Sequence, residues 1–235
     1  MKGLRTLLAF LLMMLFASMA VGGEQILLQK AQGDVSVRAG VTETWLKAGA
    51  GDTLRPDATL KTGKQSSALI LLASNKKRIS LPPEVMVDIS DIRELTQEEL
   101  MLKLTMEKVR SSSYEWKNKD MNLPNITLVH GDPKSKTSSL SEANPEVGVQ
   151  QMKGTLVLYE NGFYSTSALR AMDILRRYPA LRQKFENRLL VPQALEKSNL
   201  KNEALNEYMV LSMAQDITKE QRDLLQARII QLKRQ

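Results

Sequence analysis

The side chains with chemistry to offer are few and scattered. Trp45 is one, a ring suited to stacking on a ligand, although its ordinary role is core or half-buried packing. Lys76, Lys77 and Arg78 form the densest positive run within residues 24–110, an expected hairpin tip that could meet an anionic envelope polymer. Tyr159, Tyr164 and Tyr208 recur at the C-terminal end, where rings with a polar tip suit a groove for a partner. His130 is the only histidine and by itself makes neither a metal site nor a triad. Glu98-Glu99 is a carboxylate pair placed where a helix N-terminus takes acids. Asp34 and Asp52 each follow a glycine and are expected to cap turns; a calcium loop would need further oxygen ligands at regular offsets.

The chain has no cysteine, which excludes disulfides, thiolate metal sites, a cysteine nucleophile and a lipidated N-terminal cysteine. It has no GxSxG, HExxH or P-loop pattern. A non-enzymatic protein without a cofactor is the expectation. The net charge of +7 over 235 residues is moderate, and Lys and Arg alternate with Asp and Glu. That is the pattern of a solvated surface, so no nucleic-acid partner is expected.

The elements that must position these residues begin with a leader. Lys2 and Arg5 precede an apolar run from Leu7 to Phe16, and Ala17-Ser18-Met19-Ala20 places small residues where a signal peptidase cuts. Residues 1–20 read as a Sec-type signal peptide, with cleavage after Ala20 or as late as Gly23. An uncleaved anchor is the alternative, but the run falls short of the roughly 20 apolar residues of a span. The mature chain is expected in the periplasm or outside the cell, as neither lipoprotein nor membrane span.

Residues 24–110 read as short strands broken by Gly, Pro and Asp. Strands are expected at Ile26–Leu28 and Val35–Val37 across a Gly33-Asp34 turn, at Val41–Leu46, at Thr59–Thr62 and at Ala68–Leu72. The last returns through Ile79 and Leu81 as a hairpin, and Val85, Val87 and Ile89 close with period two. Gly33, Gly51 and Gly63 are expected to hold positive φ. Pro82-Pro83 cannot donate to a central ladder, so the chain bends there. Glu98 to Val109 reads as a helix opened by a Thr96–Glu99 capping box, or, from the alternation of Leu100, Leu102, Leu104 and Met106, as a strand.

The order Gly33-Asp34-Val35-x-Val37, Trp45, Gly51-Asp52-x-Leu54, Thr62-Gly63-x-x-Ser66, Ala68-x-Ile70-x-Leu72, Ile79-x-Leu81 and Val87-x-Ile89 resembles the FecR domain. That family comprises periplasmic sensor and accessory modules. The resemblance implies a fold and a compartment. It does not extend to the iron-signalling role of its regulators, because a signal sequence stands where their cytoplasmic segment would be.

Residues 111–147 are polar, and Gly131 to Pro145 reads as a flexible linker. Over residues 148–235 the apolar period becomes helical. Helices are expected around Val149–Tyr159, Ala168–Tyr178, Leu181–Leu195 with a bend at Pro192, and Asn202–Ala214. A Thr218–Gln221 capping box opens the last. Leu158-Tyr159-x-x-Gly162-x-Tyr164, with Pro179 closing the next helix, is similar to a tetratricopeptide repeat, and a second, degenerate unit follows around Ala204, Leu205, Tyr208 and Leu211. An unrelated helical bundle is the alternative.

The expected architecture is α+β in two domains, an N-terminal all-β FecR-like roll or sandwich followed by C-terminal α-helical TPR-like hairpins. The expected function is protein–protein contact in the bacterial envelope. The alternatives are binding of peptidoglycan, another anionic glycan or a ligand at Trp45 and Lys76–Arg78, or a role accessory to FecR-type signalling.

Overall fold

A computed structural model describes residues 25–118 and 144–234. The signal-peptide residues, the middle of the expected linker and His130 lie outside the described residues. Among the described residues the fold is mixed α+β, with two antiparallel four-stranded sheets and six α-helices.

Eight strands precede the helices: β1 Ile26–Gln32, β2 Val35–Ala39, β3 Leu46–Lys47, β4 Thr53–Leu54, β5 Ala58–Thr62, β6 Ser67–Leu72, β7 Arg78–Leu81 and β8 Met86–Asp88. The first sheet has the order β4-β1-β6-β7 and the second β3-β2-β5-β8. Alternation drives both. Ile26 and Leu28 on β1, Ala68, Ile70 and Leu72 on β6, and Ile79 and Leu81 on β7 point inward, while their neighbours face out. Leu28 lies opposite Ile70, and Ile70 opposite Ile79. In the second sheet Val37, Leu60 and Val87 line up across three strands. The inner faces meet in one core.

The β6–β7 hairpin forms as expected. The Gly33-Asp34 turn does not make a hairpin of β1 and β2, which belong to different sheets. The Asp34 N–H donates to the Ser66 hydroxyl at 2.8 Å, and the Gly63 N–H donates to the Asp34 carbonyl at 2.8 Å. The turn is thus tied to the β5–β6 connection, and the chain crosses between sheets there. Gly33 and Gly51 hold positive φ, +77° and +98°; Gly63 does not, and its missing side chain instead makes room for Asp34, whose carboxylate would lie 3.1 Å from a Cβ. The strand expected over Val41–Leu46 shrinks to Leu46–Lys47. A turn at Gly40 (φ +53°), closed by Thr42 bonding back to the Ala39 carbonyl, takes its place and leaves Val41 in solvent.

The helices are α1 Gln97–Asn118, α2 Pro145–Glu160, α3 Tyr164–Arg177, α4 Phe185–Lys197, α5 Lys201–Ser212 and α6 Lys219–Lys233. Residues 98–109 are therefore helix. Thr96 and Glu99 exchange the two capping-box hydrogen bonds, each 3.2 Å, and Leu100, Leu104 and Glu107 share the buried face. Leu102 and Met106, which make the sequence look strand-like, face outward. The ends of the stretch expected as linker are helical: α1 runs into it, and Pro145 is the first residue of α2, capped by Asn144 accepting from Glu146 N–H at 3.0 Å. The Thr218–Gln221 capping box is present.

Helices α2 to α6 pack in chain order, each against the next, and α1 crosses α3. Leu100 and Leu104 of α1 enter the core that α3 to α6 share. Val157 and Leu158 of α2, with Phe163, enter the core of the sheets. The exchange is possible because Gly154 lets α2 lie directly on β8. A Cβ there would stand 2.1 Å from the Met86 carbonyl oxygen.

Candidate functional site

Alternate helices build the first candidate. Leu189, Gln193 and Glu196 recur along one face of α4, and Leu224, Ala227, Arg228 and Gln231 along one face of α6. Tyr159, near the end of α2, completes a concavity of about 390 Å³ that also admits Lys197. Its floor is Tyr208 of α5, a side chain only 2 % exposed. The Tyr208 hydroxyl donates to Glu196 Oε2 at 3.2 Å, and Arg228 Nε donates to the same oxygen at 2.8 Å. Arg228 also donates to Gln231 Oε1 at 2.6 Å. Burial, and then the adjacent Glu196 carboxylate, hold the Tyr208 hydroxyl well above the usual tyrosine range. It therefore stays protonated and acts as a fixed donor. Burial likewise raises Tyr159, with Tyr164 and Glu196 adding to it.

Of the three tyrosines singled out in the sequence, Tyr159 and Tyr208 meet in this groove. Tyr164 stands behind them, its ring edge-on to Tyr159 at 5.3 Å and 69°. Glu196, Arg228, Gln193 and Gln231 were not legible as site residues. Their helical spacing is visible in the sequence, but which face turns inward depends on helices that follow later in the chain.

The second candidate is the outward face of the second sheet. Ser36 on β2 lies opposite Lys47 on β3 and opposite Lys61 on β5, so the three project from the same face. Arg38 lies two residues further along β2 on that face. Trp45, half-buried, carries both neighbours: the Arg38 guanidinium carbon is 4.9 Å from the ring centroid and the Lys61 ammonium 4.3 Å. Gly33, Asp34, Ser36, Trp45, Lys47 and Lys61 line an open concavity of about 560 Å³.

Lys76, Lys77 and Arg78 are not part of it. They close the β6–β7 hairpin of the other sheet, and no hydrogen bond or ring contact joins them to Trp45. The three also divide among themselves. Lys76, at φ +57°, and Arg78 face solvent, whereas the Lys77 ammonium donates to the Asn161 carbonyl and lies 4.4 Å over the Phe163 ring. Lys77 therefore closes the C-terminal end of α2 against the sheets, where a cation is favoured. Arg38, Lys47 and Lys61 were the cations sequence reasoning missed. Their only signal was alternation around Trp45, and it required the pairing register to read.

The expected turn cap at Asp52 is present: its carboxylate accepts from the Gly49 N–H at 2.7 Å. Glu99 of the carboxylate pair is occupied by the capping box and by Arg93 at 3.1 Å. Comparison with family models, with curated proteins and with solved structures gives no match.

Proposed function

We propose that the protein is an exported, non-enzymatic scaffold of the bacterial envelope, in which the groove between α2, α4 and α6 holds an extended segment of a partner protein. The observation that carries this reading is the composition of the groove. The Gln193 amide offers a donor and an acceptor, and the Gln231 amide nitrogen a further donor, of the kind an extended backbone needs. Leu189, Leu224 and the Tyr159 ring offer apolar contact between them. The Glu196–Arg228 pair, tied to Tyr208, fixes the floor in one geometry. In-order packing of α2 to α6 is consistent with tetratricopeptide-like hairpins, in which stacked neighbours leave a groove. The paired sheets are consistent with a FecR-like module, and the leader with passage to the periplasm. Among the described residues no helix is long and apolar enough to cross a membrane.

A photoreactive residue placed at Gln193 or at Leu224 in the intact chain tests the proposal in living cells. Both positions should give the same discrete protein adduct, and Tyr159→Ala should abolish it. A probe at exposed Arg55, remote in sequence, should give none. Adducts shared with the Arg55 probe, or absence of any adduct from the groove, would overturn the reading.

A further inference from the structure

The concavity on the second sheet is lined by Lys47 and Lys61, with Arg38 beside them on the same face. Arg38, Lys47 and Lys61 converge on one face, and none has an ion pair or hydrogen bond among the described residues. The Arg38 Nε is buried and likewise has no hydrogen-bond partner. Asp34 and Ser36 add a carboxylate and a hydroxyl whose side-chain oxygens are equally uncommitted. Gathering like charges around one ring sets their repulsion against the ring contacts, and a buried polar atom left unpaired costs stability. An arrangement of this kind is explained by a ligand that supplies the missing partners.

The mixture identifies the ligand chemistry. The cations call for an anion. Trp45 holds Arg38 and Lys61 against its ring, so they approach a ligand already ordered. Asp34 would repel a ligand that is anionic throughout, and instead needs a donor. A pyranose carrying a carboxylate fits the lining: its acid group pairs with Lys47 or Lys61, and its hydroxyls donate to Asp34 and exchange with Ser36. We propose that the outward face of β3, β2 and β5 binds an acidic polysaccharide through its carboxylate-bearing sugars. This site is separate from the groove between the helices, and its test does not depend on the groove.

Calorimetric titration of the full chain, at one fixed salt concentration, uses three probes: a linear oligouronate, an oligoglutamate of equal charge and a neutral oligoglucan. The oligouronate should bind, and the other two about tenfold more weakly or worse. Lys47→Gln with Lys61→Gln should weaken oligouronate binding about tenfold while the thermal midpoint stays in place. Asp34→Asn should act with opposite signs, weakening the oligouronate and strengthening the oligoglutamate. Tyr159→Ala, in the other site, should leave oligouronate affinity unchanged. Equal affinity for oligoglutamate would reduce the face to unspecific charge and overturn the proposal. So would an unchanged affinity in the double lysine variant, or no binding of the oligouronate at all.

Discussion

The outward face of the second sheet has two ends, and they treat charge in opposite ways. At the β8 end, Asp88 accepts the Thr59 hydroxyl at 2.6 Å and shares Arg170 of α3 with Asp91. Beside them α2 lies on the strand so closely that Gly154 has no room for a side chain. Every charge there has a partner. At the β3 end the cations surround Trp45 and have no ion pair among the described residues. Arg38, Thr59 and Asp88 lie in one row across three strands, so a single face runs from a sealed seam to an open, unsatisfied surface. Charged side chains hold the fold together at one end and are left without an ion pair at the other.

The largest test of this contrast is Gly154→Ala. Its Cβ would meet a backbone oxygen, which cannot rotate away, so α2 must lift from β8. A loss of about 3 kcal/mol is expected by chemical denaturation, at the upper end for overpacking. A loss under about 1 kcal/mol would mean that the seam is loose.

Arg170→Gln should cost somewhat less, about 2 kcal/mol, because its partners are only partly shielded: 31 % exposed for the Asp88 side chain and 16 % for Asp91. The cost should depend on pH. Burial holds the Asp91 carboxyl above its ordinary range even though Arg170 pulls it down. A carboxyl raised in the folded state stabilises the fold when protonated, and that contribution is lost as pH rises through the folded pKa. Without Arg170 the Asp91 carboxyl rises further. The deficit of the variant should therefore be greatest at neutral pH and shrink toward about pH 4. Equal deficits at both pH values would show that Arg170 is not what keeps Asp91 ionised.

How legible these two ends were differs for a physical reason. Strand faces, the β6–β7 hairpin and the two capping boxes follow from short-range pattern, and were readable from Ile70, Leu81, Thr96 and Thr218. The α1 helix was ambiguous because Leu102 and Met106 face outward and blur its period. The β1–β2 crossing was misread as an ordinary turn because the bonds that decide it run from Asp34 to Ser66 and Gly63, across the sheet-to-sheet connection. The role of Gly154 was hidden, since nothing local says that a strand lies against it. Of the candidate sites, Tyr159, Tyr208 and Trp45 were visible as aromatic residues in suitable stretches. Their charged neighbours were hidden, because Lys47 and Lys61 become neighbours only once Ser36 is paired on both sides.

Lys77 sharpens the comparison at smaller scale, for it belongs with the seam although it was grouped with its neighbours in sequence. Lys77→Met removes both the donor to the Asn161 carbonyl and the ammonium over the Phe163 ring, with an expected cost of about 1 kcal/mol. Lys76→Asn and Arg78→Ser, measured by the same denaturation, should change stability by less than about 0.5 kcal/mol. A run of equal effects would place all three in solvent.

The smallest expected effect is the most discriminating. Lys47→Gln and Lys61→Gln remove two cations that have no carboxylate partner, so no ion pair is lost with them. Lys61 does give up its contact with Trp45, a loss of about 0.5–1 kcal/mol at an exposed site, but Arg38 remains against the ring and repulsion around it falls. The two changes offset, and stability should stay within about 0.5 kcal/mol of the parent or rise slightly. If the double variant were instead destabilised as strongly as Arg170→Gln, these lysines would be part of the fold and the two ends of the sheet would be alike. A fold that tolerates their removal, set beside a seam that does not tolerate one added methyl group, would locate the cations at the β3 end outside the requirements of folding.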